Sequence, residues 1–375
     1  MRIAFFADLL YYRIAAGSTR YAGELVRHLG GVPGQDLRLF SLYGPELIER
    51  AARERGYPSA RSLRSPLPRP LQILLWHTVG APGLSQEVLD GADVVHTPVL
   101  LVPPRQDRPL VVSVLDLSFL LFPAYHNRWS RTVAHLGLRR AAQEADALIA
   151  ISEHTARDLI RHTGVSGDRV HVIPLAAHER FSPMQDDAVL ARYGIDAPYL
   201  LYVGTLEPRK NLPALLQAFA GIEQGETKLV LAGTQGWMYG GIYDMVERLG
   251  LTSRVIFTGF VPDEDLPALL SAARIFVYPS LYEGFGLPVL EAMSCGAPVI
   301  TTDASSLPEV AGDAALLVRP DDVEGLRGAI RRLLAEPDLR DELRGRGFAQ
   351  AARFCWRETA RQTAEVYEKV VSGSR

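Results

Sequence analysis

Short apolar runs recur along this chain, each followed by a longer stretch whose apolar residues fall at helical spacing. Arg2–Ala7, Leu37–Leu42, Val94–His96, Val111–Leu115, Ala147–Ile151 and Val170–Ile173 read as strands in the first half. In the second half the runs are Tyr199–Val203, Lys228–Ala232, Val255–Thr258, Ile275–Tyr278, Pro298–Thr301 and Ala315–Val318. They are continuous rather than alternating, the mark of strands covered on both faces, so each half predicts a doubly wound parallel sheet in the α/β class. A helix over Thr19–Leu29 stops at Gly30-Gly31, and another is expected over about Trp356–Val371. The pattern restarts after Phe181-Ser-Pro-Met, which places a domain boundary near residue 182.

The most informative segment is 279–296. The strand Ile275–Tyr278 empties into Tyr-Glu-Gly-Phe-Gly-Leu-Pro, and a helix from about Pro288 to Cys295 begins at once, stopped by Gly296. Backbone N–H groups of Gly284, Phe285 and Gly286, together with the helix start, suit an anion such as a diphosphate. Glu291, one turn into that helix, can accept hydrogen bonds from both hydroxyls of a ribose; Glu283, before the turn, can hold the hydroxyls of a sugar. The alternatives are a helix-dipole partner for Glu291 and a solvated loop residue for Glu283.

A second strand, turn and helix spans Tyr199–Leu212, with Arg209 and Lys210 between strand and helix. A departing nucleoside diphosphate gains negative charge as its bond to carbon breaks, and a guanidinium fork beside an ammonium meets that charge without a metal. A solvated basic pair is the other reading, although the dipole disfavours cations at a helix start.

Gly-Thr-Leu-Glu-Pro-Arg-Lys-Asn and Glu-Gly-Phe-Gly-Leu-Pro-x-x-Glu resemble the corresponding segments of the family-4 glycosyltransferases, retaining nucleotide-sugar enzymes of the GT-B fold. The resemblance covers nearly the whole chain. It implies two Rossmann-like domains facing a central cleft: an acceptor-binding domain over 1–182, a donor domain over 183–355, and a C-terminal helix over 356–375 crossing back to the first. It further implies that Arg209 and Lys210 grip the diphosphate, Glu291 the ribose, and Glu283 with the Gly284–Leu287 backbone the transferred sugar and distal phosphate. Gly204 and Thr205 would join the donor site. Val261 would lie by the nucleobase, where backbone contacts leave guanosine and uridine donors open.

The first half departs from the family pattern. Gly17 and Ser18, in Ala15-Ala-Gly-Ser-Thr, stand where a glycine-rich turn beside the donor phosphates is usual, and they read equally as a helix start. Leu115 replaces the His that usually precedes Asp116. Asp116 then reads as an acceptor contact or base, or as a loop cap. His96 is either an acceptor contact or a satisfied histidine, and Ser152 an acceptor contact or the N-cap of the helix that follows. His178 stands where an Asp is common.

Composition narrows the classes. The chain has 375 residues, 47% hydrophobic and 22% charged, with a formal net charge of −3, enough for two cores and no global attraction to nucleic acid. Cys295 and Cys355 are read as buried thiols rather than a disulfide. No apolar run approaches the ~18 residues of a membrane span, so a cytoplasmic enzyme is expected. Asp263-Glu-Asp265 reads as helix capping rather than a metal site, and catalysis is expected to need neither a metal nor a cofactor beyond the nucleoside-diphosphate sugar. Arg53, Arg55, Arg61, Arg64 and Arg69 precede or flank Leu71, Ile73, Leu74 and Trp76. That mixture suits either peripheral contact with the inner face of a membrane, guiding a lipid-linked acceptor, or a proline-rich loop and core-facing helix. The acceptor itself is left as a glycan, a lipid-linked molecule or a small natural product. A sugar-nucleotide epimerase and a catalytically silent binding module are the rival classes.

Overall fold

The computed structural model describes residues 1–11, 17–55, 58–63, 67–223, 226–236 and 240–373. The chain divides into two compact units, one made of Met1–Leu175 with Trp356–Arg375 and the other of Ala176–Cys355. The division falls between Leu175 and Ala176, a few residues before the expected 182, because Pro174 still belongs to the first unit: its carbonyl accepts a 2.8 Å hydrogen bond from Thr359.

Among the described residues the first unit carries seven strands: β1 (Arg2–Phe6), β2 (Asp36–Ser41), β3 (Arg61–Ser62), β4 (Val94–Thr97), β5 (Leu110–Val114), β6 (Ala147–Ala150) and β7 (Val170–Val172). All pair in parallel, in the order β3-β2-β1-β4-β5-β6-β7. The second unit has β8 (Tyr199–Val203), β9 (Lys228–Ala232), β10 (Val255–Gly259), β11 (Ile275–Tyr278), β12 (Val299–Thr302) and β13 (Ala315–Val318). These are also parallel, in the order β10-β9-β8-β11-β12-β13. In each sheet the winding reverses once, between β1 and β4 and between β8 and β11. Open α/β sheets bind ligands outside the carboxyl ends of the strands at such a reversal.

The core follows from the apolar runs. Ile3, Phe5, Val111, Leu148, Leu200, Leu229, Phe276 and Ile300 are all fully inaccessible, as strands covered on both faces require. Gly204 and Gly233 close the carboxyl ends of β8 and β9. The backbones approach so closely there that a Cβ on Gly233 would lie 2.0 Å from the Gly204 carbonyl oxygen.

The C-terminal helix Trp356–Gly373 groups with the first unit and packs on the helix Gly17–Leu29. Its Tyr367 hydroxyl is 2.6 Å from His96 Nδ1; His96 Nε2 is 2.8 Å from Ser113 Oγ, which is 2.7 Å from the Tyr21 hydroxyl. These four buried polar groups satisfy one another, which fixes the helix against the sheet.

Of the two thiols, only Cys295 is buried. Cys355, just before the final helix, is exposed, and neither forms a disulfide.

Candidate active site

The reversal between β8 and β11 gathers the chemistry of the second unit. After β8 the chain passes through Gly204 and Thr205 to a 3-10 turn, Pro208–Lys210, which ends at Asn211 in the left-handed conformation, φ 56°. The helix Leu212–Ala220 follows. After β11 the loop leads to Gly286, at φ 112°, and the helix Leu287–Ser294, one residue earlier than expected. Only glycine suits position 286: the backbone is left-handed, and a Cβ would come 2.8 Å from Leu307 Cδ2.

Two of the predicted cations and one of the predicted carboxylates meet directly. Lys210 Nζ lies 2.6 Å from Glu283 Oε1, and Arg209 Nη1 lies 3.0 Å from Glu283 Oε2. Arg209 also donates to the Tyr282 carbonyl at 2.7 Å and to Glu207 Oε1 at 2.7 Å. The Tyr278 hydroxyl accepts from Lys210 at 2.7 Å and donates to Glu283 at 3.1 Å. Two cations and two carboxylates thus form one formally neutral network, in which Glu207, Lys210 and Glu283 are buried and the Arg209 side chain is 14% exposed. The solvated readings of Glu283 and of the basic pair do not hold.

Burial, the largest influence on Glu283, would raise its pKa. The charges of Arg209 and Lys210, with the hydrogen bond from Lys210, overturn it and bring the carboxyl down to about 2. For Lys210, burial and the neighbouring guanidinium lower the ammonium's value, and Glu283 and Glu207 oppose them. Tyr278 is pushed well above the usual phenol range by burial and by Glu283, so it remains a neutral hydroxyl.

The loop carrying Glu283 is fastened from beneath. Its backbone N–H donates to Ser305 Oγ at 2.9 Å, and Ser306 Oγ donates to the carbonyls of Glu283 and Phe285 at 2.9 and 2.7 Å. Ser305 is left-handed, φ 53°. Glu207, Tyr278, Ser305 and Ser306 went unrecognised in the sequence. Glu207 lies inside the Gly204–Asn211 motif, two residues before Arg209, and Tyr278 ends β11; a hydroxyl-bearing aromatic at the carboxyl end of a buried strand was a usable signal. The serines follow β12 and carry none.

Glu291 sits in the helix Leu287–Ser294, 2% exposed, and Gly284, Phe285, Gly286 and Leu287 are buried around the turn. Val261 is buried after β10, beside the exposed Phe260. Asp265 stands at the N-cap position of the helix Leu266–Ala272, but its side chain forms no cap hydrogen bond. Asp265 accepts from Arg192 at 2.7 Å and from the Tyr193 hydroxyl at 2.6 Å, joining the helices Asp187–Arg192 and Leu266–Ala272, while Asp263 is 3.7 Å from Arg180. Among the described residues, no group of three or more His, Cys, Asp or Glu is placed to hold a metal ion.

Candidates in the first unit fare differently. Gly17 and Ser18 open the helix Gly17–Leu29, with Gly17 exposed; Ala15 and Ala16 lie outside the described residues. His96 is 0% exposed with both ring nitrogens engaged, so it is the satisfied histidine and not an acceptor contact. Ser152 is also structural: its Oγ accepts from Thr155 N at 3.0 Å and caps the helix Glu153–Thr163. Asp116 Oδ1 accepts from the backbone N–H and the hydroxyl of Ser118, at 3.0 and 2.8 Å, which is the loop-cap arrangement.

The basic stretch is divided among separate tasks. Arg61 donates to the Glu87 carbonyl, Arg69 pairs with Asp8, and the helix Arg69–Thr78 buries Gln72, Ile73, Trp76 and His77. The core-facing reading of that helix therefore holds, although Leu71 is 42% exposed. The Arg55 side chain and Arg64 lie outside the described residues.

Two all-parallel Rossmann-like units, the second with a cation pair and a glycine turn at its strand reversal, define the GT-B class of glycosyltransferase. The comparisons with known proteins agree. A model described as Glycosyl transferases group 1 matches residues 191–350, and one described as Glycosyltransferase Family 4 matches residues 15–178. O-antigen chain mannosyltransferase B of Escherichia coli is 34% identical over 384 residues, covering 98% of this chain and 100% of its own. The MMP alpha-(1->4)-mannosyltransferase of Mycolicibacterium hassiacum is 30% identical over 419 residues, with 99% of each covered. Among solved structures, Anabaena HepE in complex with UDP and glucose shares the fold at TM-score 0.78 and 18% identity, covering 98% of this chain and 100% of its own. Sucrose-phosphate synthase from Thermosynechococcus elongatus does so at 0.76 and 23%, with 100% of each covered. The chain belongs to glycosyltransferase family 4 and is a sugar-transferring enzyme. That membership favours transfer over the epimerase and silent-module alternatives. Among the described residues, no helix is long and apolar enough to cross a membrane.

Proposed function

We propose that the protein transfers a hexose, with retention of configuration, from a nucleoside-diphosphate sugar to a hydroxyl of a glycan or lipid-linked acceptor. The observation that carries the reading is the Arg209–Lys210–Glu283 network at the β8/β11 reversal. Two cations are already immobilised there by carboxylates, so no side-chain ordering accompanies donor binding. The diphosphate draws on Arg209, Lys210 and the Gly284–Gly286 backbone; Glu291 binds the ribose and Glu283 the sugar hydroxyls. As the C1–O bond to the diphosphate breaks, charge develops against the cation pair. The acceptor oxygen bonds C1 from the same face, and its proton passes to the departing phosphate oxygen. Fixed cations supply the positive charge, so no divalent ion is required.

The names of the two relatives that span nearly the whole chain favour mannose as the transferred sugar. The name of the first favours a growing O-antigen glycan as acceptor and work at the cytoplasmic face of a membrane. The test is turnover of GDP-mannose, UDP-glucose and UDP-N-acetylglucosamine with and without a mannosyl acceptor, with the anomer of the product read by NMR. Transfer from GDP-mannose giving an α-linked product is expected. Interconversion of the sugar nucleotide, or binding with no release of nucleotide from any donor, defeats the reading.

A further inference from the structure

The first unit has its own strand reversal, between β1 and β4, and a charged pair stands beside it. Asp8 comes two residues after β1 and is 1% exposed. Its Oδ1 accepts from Ser41 Oγ at 2.6 Å and Leu42 N at 2.7 Å, and its Oδ2 from Arg69 Nε at 2.8 Å. The Arg69 guanidinium carbon lies 4.8 Å from the centre of the Tyr43 ring. The guanidinium is therefore held through its inner nitrogen and along one face, and its two terminal amino groups form no hydrogen bond with any described residue. The Arg69 side chain is 28% exposed.

We propose that Arg69 binds a phosphate ester carried by the sugar acceptor. The proposal rests on the transferase reading and names the chemistry of the molecule that receives the sugar. Neutralising Asp8 requires one positive charge, which a lysine provides; it does not require a planar group braced on a tyrosine with its outer fork left unused. That fork matches two oxygens of a phosphate. Arg69 also begins the helix Arg69–Thr78, where the dipole adds to its positive potential and favours a doubly charged anion over a neutral sugar. Asp8 and Tyr43 act as positioning residues. The phosphate can belong to a soluble sugar phosphate or to a lipid headgroup, because the recognised group is the same.

Labelling of the full chain by phenylglyoxal, which is selective for arginine, followed by peptide mass spectrometry, tests this without turnover. Glucose 6-phosphate is expected to slow modification of Arg69 about tenfold, while glucuronate and methyl mannoside leave it unaffected. Protection by phosphatidylcholine vesicles doped with phosphatidic acid, with none from glucose 6-phosphate, supports the site and assigns the phosphate to a lipid. R69K keeps the charge beside Asp8 and hence the fold, and it is expected to weaken glucose 6-phosphate or vesicle binding about tenfold. Equal labelling with every phosphate probe, equal protection by glucuronate, or unchanged binding by R69K overturns the proposal. Absence of donor turnover alongside protection of Arg69 counts against the transferase reading alone.

Discussion

Lys210 Nζ stands 2.6 Å from Glu283 Oε1, although the two residues are 73 positions apart and leave different strands. Each cancels the cost of burying the other, so removing either leaves an uncompensated charge. K210A is expected to lower kcat on the best donor about 100- to 1,000-fold, as the loss of one group aimed at developing charge does. R209K, which keeps the charge but loses the fork to Glu283, Glu207 and the Tyr282 carbonyl, is expected to cost about tenfold. Steady-state kinetics with circular dichroism as a folding control checks both, and wild-type turnover in K210A would remove the cation pair from the mechanism.

Acid should loosen the second unit through Glu283. Its carboxyl is held at about 2, below the ordinary value of 4.5, so its contribution to stability is complete above 4.5 and is lost as the pH falls towards 2. Chemical denaturation across that window should show a slope that E283Q reduces; an unchanged slope would mean that the network is not ionised as described.

His96 acts in the same direction over a higher window. Burial lowers its imidazole from 6.5 to about 3, so the unfolded chain takes up a proton that the folded one refuses, and stability falls as the pH drops from 6.5 towards 3. H96Q is expected to flatten stability between pH 6.5 and 4.5, where the contribution of Glu283 is constant, while lowering the maximum by about 1–3 kcal/mol through a lost buried hydrogen bond. Hydrogen exchange should show the loosening concentrated in the helix Trp356–Gly373.

Gly233 tolerates no side chain. With φ at 151° and the Gly204 carbonyl 2.0 Å from a would-be Cβ, G233A is expected to destabilise by about 3 kcal/mol or more. A thermal melt close to wild type would show that β8 and β9 part more easily than their closeness implies.

Chelation gives an independent check on the charge supplied by side chains. Treatment with EDTA followed by gel filtration is expected to leave at least half of the turnover; restoration of a lost activity by a divalent ion would contradict the fixed-cation scheme.

Much of this was visible in the residues. The limits of β8, β9, β11 and β13 match their apolar runs because charged residues, Gly or Pro end each run abruptly. β3 escaped notice: Arg61–Ser62 is an edge strand with no apolar residue, defined only by its partner Phe40–Ser41. At the site, Arg209, Lys210 and Glu283 were legible from the turn chemistry around them. That Glu283 grips the cations directly was not, because pattern reveals which groups flank a strand end and not how far two loops approach. Asp265 shows the same limit: its place before a helix suggested a cap, but Arg192 and Tyr193, more than 70 residues away, had the stronger claim. His96 and Ser152, at strand ends, had the right address for a ligand contact, and neighbours that sequence order hides consumed them.

The first unit is built from two segments far apart in sequence, Met1–Leu175 and Trp356–Arg375. On the ribosome, Tyr21, Ser113 and His96 emerge long before Tyr367, so the nascent sheet waits for its final cover while the whole second unit is being synthesised. A premature stop after Cys355 would strand those polar groups and leave the sheet open, a vulnerability that quality-control proteases are equipped to recognise.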